Sequence, residues 1–533
     1  MKSIYKISIL FVAICILFGC RQFCVNFLGY PPEEQFTSFK INNKVDEIVI
    51  KEFRKRDIPP SPTCTDEVFI RRVYLDTGGI LPSPQDVRNF LADKSPEKRK
   101  KLVDKLLSSM DFADYQALKW SDILRIKAEF PSNLWPQAAQ VYHRWLRESI
   151  FRNKPYNKFV YELLTSNGSN FQVPPVNFYR AFQERKPDEI AENIALVFMG
   201  IRLDRAPWTE KQLSGMAAFF TKIGYKNTFE WKEEIVYFNP EAKADPKLNL
   251  PLKPVPLNGK PLDIPQDKDP RIVFADWLIA PANPWFAKCA VNRVWYWLLD
   301  RGIVNPSDDM RPDNPPWSPE LLAFLEKELV SHNYDLKHIY RLILNSNTYQ
   351  LSSMSNEWNV SDENGFSRYR IRRVDAETLI DIICQITAVP EKYTSGIPEP
   401  YTFLPSSIRA VKIPDGSISS SFLDMFGRSP RNTSFEAEKT LSPSLLQALH
   451  IFNSGHIQRK LDQGPVIKGI ISDKKGDDYK IEALYLLILS RYPTAGERKI
   501  AEDYIKAPNT KPYDAMNDLA WALLNTKEFI LKH

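Results

Sequence analysis

Two long tracts, Asp66 to Tyr225 and Pro270 to Asn525, repeat one pattern: apolar residues three or four apart for a few turns, then a short break that usually carries proline. That period is the helical one, and the rarity of alternating apolar runs between the breaks argues against a βα repeat. Thr65 stands before Val68, Phe69, Val73 and Leu75 as a helix cap. Pro82-Ser83-Pro84 opens a helix bearing Val87, Phe90 and Leu91, and Ser95-Pro96-Glu97 opens one with Leu102, Val103, Leu106 and Leu107 on one face. The spacing predicts further helices over 112–124, 137–152, 156–165, 187–199 and 209–223. After the middle of the chain it predicts helices over 271–279, 286–299, 319–331, 336–345, 376–387, 444–453, 455–462, 480–489, 495–505 and 514–525. Between Asn227 and Lys268 the character changes: Glu234 to Phe238 reads as a strand, and prolines follow without helical period. The expected fold is mainly α, with two helical domains (61–226 and 269–533) joined by a proline-rich, partly β linker (227–268).

The chain begins with Lys2 and Lys6, then the apolar run Ile7 to Phe18, then Gly19-Cys20. A cationic start, a short apolar stretch and a small residue before the cut form a secretory signal, and the run falls short of the roughly 20 apolar residues that span a bilayer. An uncleaved membrane helix is the alternative, disfavoured by that length. Leu17-Phe18-Gly19-Cys20 resembles the bacterial lipobox. This implies a signal peptide over 1–19, lipidation of Cys20, and a tether (20–60) holding the protein to a bacterial membrane at the periplasmic or outer face.

Composition bounds the exported part. With 43% hydrophobic and 26% charged residues the chain can bury large cores, while 71 Lys and Arg against 65 Asp and Glu are interspersed and form no nucleic-acid stripe. Cys24, Cys64, Cys289 and Cys384 have neither zinc-site nor redox spacing. Cys289 and Cys384 fall in apolar helical patterns, where cysteine is usually a small buried hydrophobe, and a Cys24–Cys64 bridge stays open.

Several blocks resemble the paired planctomycete-type domains of unknown function, an N-terminal cytochrome-like domain and its C-terminal partner. The first is carried by Phe69-Ile70-Arg71-Arg72-Val73-Tyr74-Leu75-Asp76, Gly79, Lys101 to Leu107, and His143-Arg144-Trp145. The second is carried by Ala275-Asp276-Trp277-Leu278, Val291-Asn292-Arg293-Val294-Trp295, Phe426-Gly427-Arg428 and Ser490-Arg491-Tyr492-Pro493. Members of the first kind usually carry Cys-x-x-Cys-His-x-His-Pro-Phe, where this chain reads Arg202 to Thr209. A Cys-x-Cys of the second kind is replaced by Phe435-Glu436-Ala437-Glu438-Lys439. Attachment of a c-type haem needs two thiols and an imidazole, so the resemblance implies a branch without haem. Loss at both places predicts that the two segments meet in space, as one abandoned site.

No nucleophile elbow, phosphate loop or dinucleotide fingerprint occurs. His332 and His338, and His450 and His456, are each six apart, which on one helix separates their faces, so no metal site is expected. His143 on an amphipathic helix, the adjacent acids Asp308 and Asp309, and Arg293, which can offer a planar fork to a carboxylate, are the candidate catalytic groups. Their ordinary roles are a satisfied histidine, a turn, and an ion pair of Arg293 with Asp76, Asp308 or Asp309. Trp295 can stack on a flat ligand, and Arg368, Arg370 and Arg372 on one side of an extended segment can grip an anion. The reading is a lipid-anchored envelope component for binding or assembly, with no cofactor and a glycan or envelope protein as partner. The alternatives are a hydrolase of an extracellular polysaccharide, or a redox protein as the family name suggests. Whether it is an enzyme stays open. A shallow aromatic surface marks the first class, and a cleft with converging carboxylates the second.

Overall fold

The computed structural model describes residues 36–205, 207–242, 253–508 and 510–533; the signal segment, Cys20 and Cys24 lie outside them. The protein is mainly α, and no helix among the described residues is long and apolar enough to cross a membrane.

Helix α1, Lys44–Lys55, lies within the span expected to be tether. Asn43 caps it through Val45 N, acids stand in its first turn and bases in its last, and Val45, Ile48, Val49 and Phe53 bury one face. That apolar stripe draws the segment into the body, where Asp46 accepts from Asn347 N and from Thr348 N and Oγ1. Helix α2, Asp66–Gly78, ends at Gly79 in the left-handed conformation. Thr65 occupies its N-cap position but makes no side-chain cap bond.

Helices α3 (Met110–Ile123) and α4 (Pro136–Phe151) pack against each other. Helix α5, Pro187–Ile194, runs into a π turn at Ala195–Met199 that closes on Gly200 at φ 64°. The helix expected to reach residue 223 stops at Ala217. After a short turn the chain enters β2, Ile223–Asn227, which pairs antiparallel with β3, Glu234–Phe238, with Tyr225 opposite Val236. A two-residue strand β1, Gly168–Ser169, joins the other edge of β3.

Helix α6, Phe286–Leu299, is buried on nearly every side, and α7 (Pro319–Ser331) packs on it. Helix α8, Leu336–Leu344, comes next. Strand β4, Arg372–Arg373, pairs with the C-terminal β5, Leu531–Lys532. Helix α9, Ala376–Thr387, and α10 (Leu445–Asn453) and α11 (Gly455–Gln463) belong to the C-terminal part.

The cores do not divide at the linker. One core runs from Phe36 through the β2–β3 hairpin to Tyr369 and takes in α6 and α7; the other is built from Val374 to Phe529, joined by Leu75 and Leu81 of the N-terminal region. The seam therefore lies near β4. Two arginines of α2 span it: Arg71 donates to the carbonyls of Ile488 and Phe529, and Arg72 to those of Tyr349, Leu351 and His533.

Candidate functional site

A half-open cavity lies at this seam. Helix α3 supplies Tyr115, Lys119 and Asp122, whose spacing of four and three places them on one helical face. The end of α6 supplies Tyr296, Trp297 and Asp300; β4 and β5 bring Arg372 and Lys532; and the loop before α10 contributes Phe435, Glu436 and Lys439.

The charges in the cavity are almost all compensated. Asp76, fully buried behind the wall, accepts from the hydroxyls of Tyr349 (2.9 Å) and Tyr369 (2.8 Å) and is paired with Arg372 (3.0 Å) and Lys532 (3.2 Å). Arg372 also reaches Asp300 at 3.6 Å, and Lys439 reaches Asp122 at 3.4 Å and Glu377 at 3.8 Å. Tyr115 donates to Asp375 at 2.6 Å and receives Lys532 Nζ at 3.3 Å. Burial alone would raise the Asp375 carboxyl, but the ammonium groups of Lys439, Lys532 and Lys119 overrule it and hold the acid far below the usual carboxylate range.

Lys119 differs from the other cations of the cavity. Among the described residues no carboxylate lies within ion-pair distance of it; its ammonium faces rings instead, 4.4 Å from the centroid of Tyr115 and 5.3 Å from that of Trp297. Burial first, and then the Lys532 ammonium, pull its pKa down to about 7.

The two segments that lack the family's cysteines do meet. The Arg202 guanidinium lies over the Phe435 ring at 4.5 Å, and Ser434 Oγ donates to Asn193 Oδ1 at 3.3 Å. The π turn leaves the Val197 carbonyl free to accept from Arg293 Nη1 at 2.6 Å, and Arg293 Nε stands 3.3 Å from Glu436, which also accepts from Trp297 Nε1 at 3.0 Å. Burial raises the Glu436 carboxyl against the opposing pull of Arg293. A c-type haem does not fit this junction. Its donors are guanidinium and carboxylate groups with the single buried thiol of Cys289, hydrogen-bonded to Val197 O at 3.7 Å, and among the described residues no imidazole joins them.

The remaining candidates fall in different places. Arg293 pairs with Glu436 rather than with Asp76 or Asp309, because the packing of α6 aims it across the seam at the 435–439 segment; Asp308 contributes only a more distant charge. Asp309 is held by both Arg311 Nε (2.6 Å) and Nη2 (3.0 Å), which makes it a turn-fixing acid. Asp308 is buried and its carboxyl is raised by that burial. His143 is buried on α4, where the charges that act on it are Arg431, Asp114 and Arg147; neither Asp308 nor Asp309 is among them. Trp295 is a core residue with no exposed surface, edge-on to Phe366 at 5.2 Å, so it presents no face to a ligand. Arg372 lines the cavity, whereas Arg368 and Arg370 are spent on the carbonyls of Val360 (3.2 Å) and Glu363 (2.5 Å).

The histidine pairs do not sit on single helices. His332 ends α7 and His338 lies in α8, so the turn between them folds the two rings together at 3.7 Å, with Glu328 Oε2 2.9 Å from His338 Nε2. Because the rings stack nearly parallel, their in-plane lone pairs run side by side rather than toward one point. His450 on α10 and His456 on α11 likewise meet at 3.2 Å, and Glu391 binds His456 at 2.8 Å.

Sequence reasoning missed Lys119, Tyr115, Glu436 and Lys532 as cavity residues. The Tyr115, Lys119, Asp122 stripe lies on one face of its helix, but Asp114, Gln116 and Ser121 put polar groups on the other faces too, so the stripe does not stand out in the sequence.

No curated protein and no solved structure matches the chain. Residues 44–224 match the family described as PSCyt2, protein of unknown function (DUF1549), and residues 270–505 match PSD1, protein of unknown function (DUF1553). The first match begins at α1, in keeping with the packing of that helix into the body. The chain thus carries the paired planctomycete domains of unknown function, DUF1549 followed by DUF1553.

Proposed function

We propose that this protein is an exported, lipid-anchored component of the cell envelope that binds an anionic small molecule, or the acidic end of a polymer, in the cavity between its two cores. The anchor rests on Cys20 and the apolar run before it. The binding role rests on Lys119, a cation in a cavity whose other cations already have carboxylate partners. An anion entering beside it gains a charge-assisted bond with a donor that no carboxylate of the protein claims. Binding is favoured over hydrolysis because Asp308, Asp309 and His143 do not converge on one cleft.

The test is the thermal stabilisation of the full-length protein in detergent by galacturonate or inorganic sulfate, with galactose as neutral control. A ligand that binds only the folded state raises its unfolding temperature. The anion prefers protonated Lys119, whose pKa lies near 7, so the stabilisation weakens as pH rises from 6 to 9, and the affinity falls by up to about tenfold per pH unit above that pKa. Lys119→Met abolishes the response and its pH dependence, and Lys119→Arg keeps a response that no longer changes over this range. An unchanged response in Lys119→Met, or no anion-specific stabilisation of the natural protein, rejects the reading.

A further inference from the structure

None of the rings of a second aromatic cluster lines the cavity. Trp135 stands at the start of α4, Trp231 at the tip of the β2–β3 hairpin, and Tyr401 in the C-terminal loop after α9. Three distant chain segments thus bring their rings together: Trp135 to Trp231 at 6.4 Å and 87°, Trp135 to Tyr401 at 5.3 Å and 61°. Single aromatics on a surface need no explanation, but these rings are assembled and left in water, Trp231 at 64% exposure and Tyr401 at 50%. Lys232 lies over two of them, 5.2 Å from the Trp135 centroid and 5.1 Å from that of Trp231, and no carboxylate among the described residues pairs with it.

The arrangement is held at a cost. Trp135 has φ 74° and ψ 146°, a region that belongs to glycine, and Lys232 has φ 62°. Such conformations are strained for other residues and persist only where surroundings impose them. At the hairpin tip the imposing group is Asn170. Fully buried, it donates Nδ2 to the Lys232 carbonyl at 3.2 Å and accepts from Glu234 N at 3.0 Å. At Trp135 the backbone N–H is tied to Ala128 O at 3.2 Å. The backbone at Trp135 and Lys232 is therefore held in place before any ligand arrives, which lowers the entropy lost on binding.

Flat, exposed rings suit the C–H faces of pyranose sugars, and an ammonium over two rings suits an anionic substituent on the same sugar. We infer that this surface docks an acidic polysaccharide, with sugar faces stacked on Trp231 and Tyr401 and a carboxylate or sulfate group meeting Lys232. The surface is independent of the cavity, and its failure and that of the Lys119 site are separable.

The experiment is affinity electrophoresis of the full-length protein in detergent, through gels containing polygalacturonate, dextran sulfate or neutral dextran. The natural protein is expected to be retarded by one or both acidic polymers more than by dextran, the first two gels distinguishing carboxylate from sulfate. Trp231→Ala, on an exposed hairpin tip, and the Trp231→Ala/Tyr401→Ala double variant are expected to weaken that retardation at least tenfold. Lys232→Gln should erase the preference for acidic over neutral polymer. Neither aromatic substitution alters charge, so any general attraction of a chain of net charge +6 to polyanions is preserved in them. Retardation of the double variant equal to that of the natural protein, or no retardation by either acidic polymer, overturns the inference. Quenching of tryptophan emission by the bound polymer, lost in Trp231→Ala, provides a second readout.

Discussion

The imidazole of His143 is buried on α4, and its Nε2 has no hydrogen-bond partner. Burial first, and then the Arg431 guanidinium, lower its pKa from 6.5 to about 3. Between those values the unfolded chain carries a proton that the folded chain refuses. Stability is therefore lost as pH falls from 6.5 toward 3, at about 1.4 kcal/mol per pH unit for this one group. His143→Phe removes the titration and the unpartnered ring nitrogen. It should unfold within about 1 kcal/mol of the natural protein at pH 7 and resist acid to a lower pH, as tracked by circular dichroism. Superimposable acid profiles would mean that His143 titrates normally. Residues such as this explain which parts of the site could be read in advance. A buried lysine and a solvated one look alike in a sequence, so nothing in the sequence singles out Lys119. Trp295 and Arg293 looked ligand-like because a core indole and a buried guanidinium are written with the same letters as exposed ones. What separates them is the seam between the two cores, and that is set by contacts between residues as far as 461 positions apart.

Elements were legible where periodicity is strong and caps are local. The expected strand over 234–238, and helices over 156–165, 286–299, 319–331, 376–387 and 495–505, coincide with the observed bounds. The two-residue strands β1, β4 and β5 are too short to show alternation, and the π turn after α5 has the composition of any apolar helix. Helix ends also carry function. At the end of α2, Gly79 has φ +56°, and a Cβ there would lie 2.9 Å from Tyr115 Cδ2 and 3.0 Å from Thr378 Oγ1. Gly79→Ala therefore adds about 1–2 kcal/mol of left-handed backbone cost to a contact that only movement of Tyr115 relieves. Tyr115 is the cavity residue that donates to Asp375 and receives Lys532. The substitution should lower the unfolding temperature and also weaken anion-dependent stabilisation. An equal loss of stability with full anion response would mean that Tyr115 holds its place and that the end of α2 acts on the fold alone.

At the scale of the whole molecule, the sequence separates two domains at a proline-rich linker, whereas burial separates two cores near β4, because the β2–β3 hairpin and α6 both pack into the N-terminal core. The C-terminal strand then returns across the seam, pairing Arg372 with Lys532 and Arg373 with Leu531 and delivering Lys532 to Asp76 of α2. Asp76 is thus the charge on which both cores close: Tyr349, Tyr369 and Arg372 approach from one chain segment and Lys532 from the other end of the protein. Removing its charge while keeping its shape strands two buried cations, and breaking a buried pair in this way costs about 3–5 kcal/mol. Asp76→Asn should therefore lower the urea midpoint, and it should do so unevenly. Eleven of the 12 tryptophans precede β4 and only Trp521 lies beyond it, so tryptophan emission reports chiefly on the first core while far-ultraviolet circular dichroism reports on both. Coincident curves in the natural protein that separate in Asp76→Asn, with the dichroism change leading, would show that this carboxylate couples the C-terminal core to the rest. Curves that stay coincident with an unmoved midpoint would place the coupling elsewhere on the seam, in the carbonyl contacts of Arg71 and Arg72.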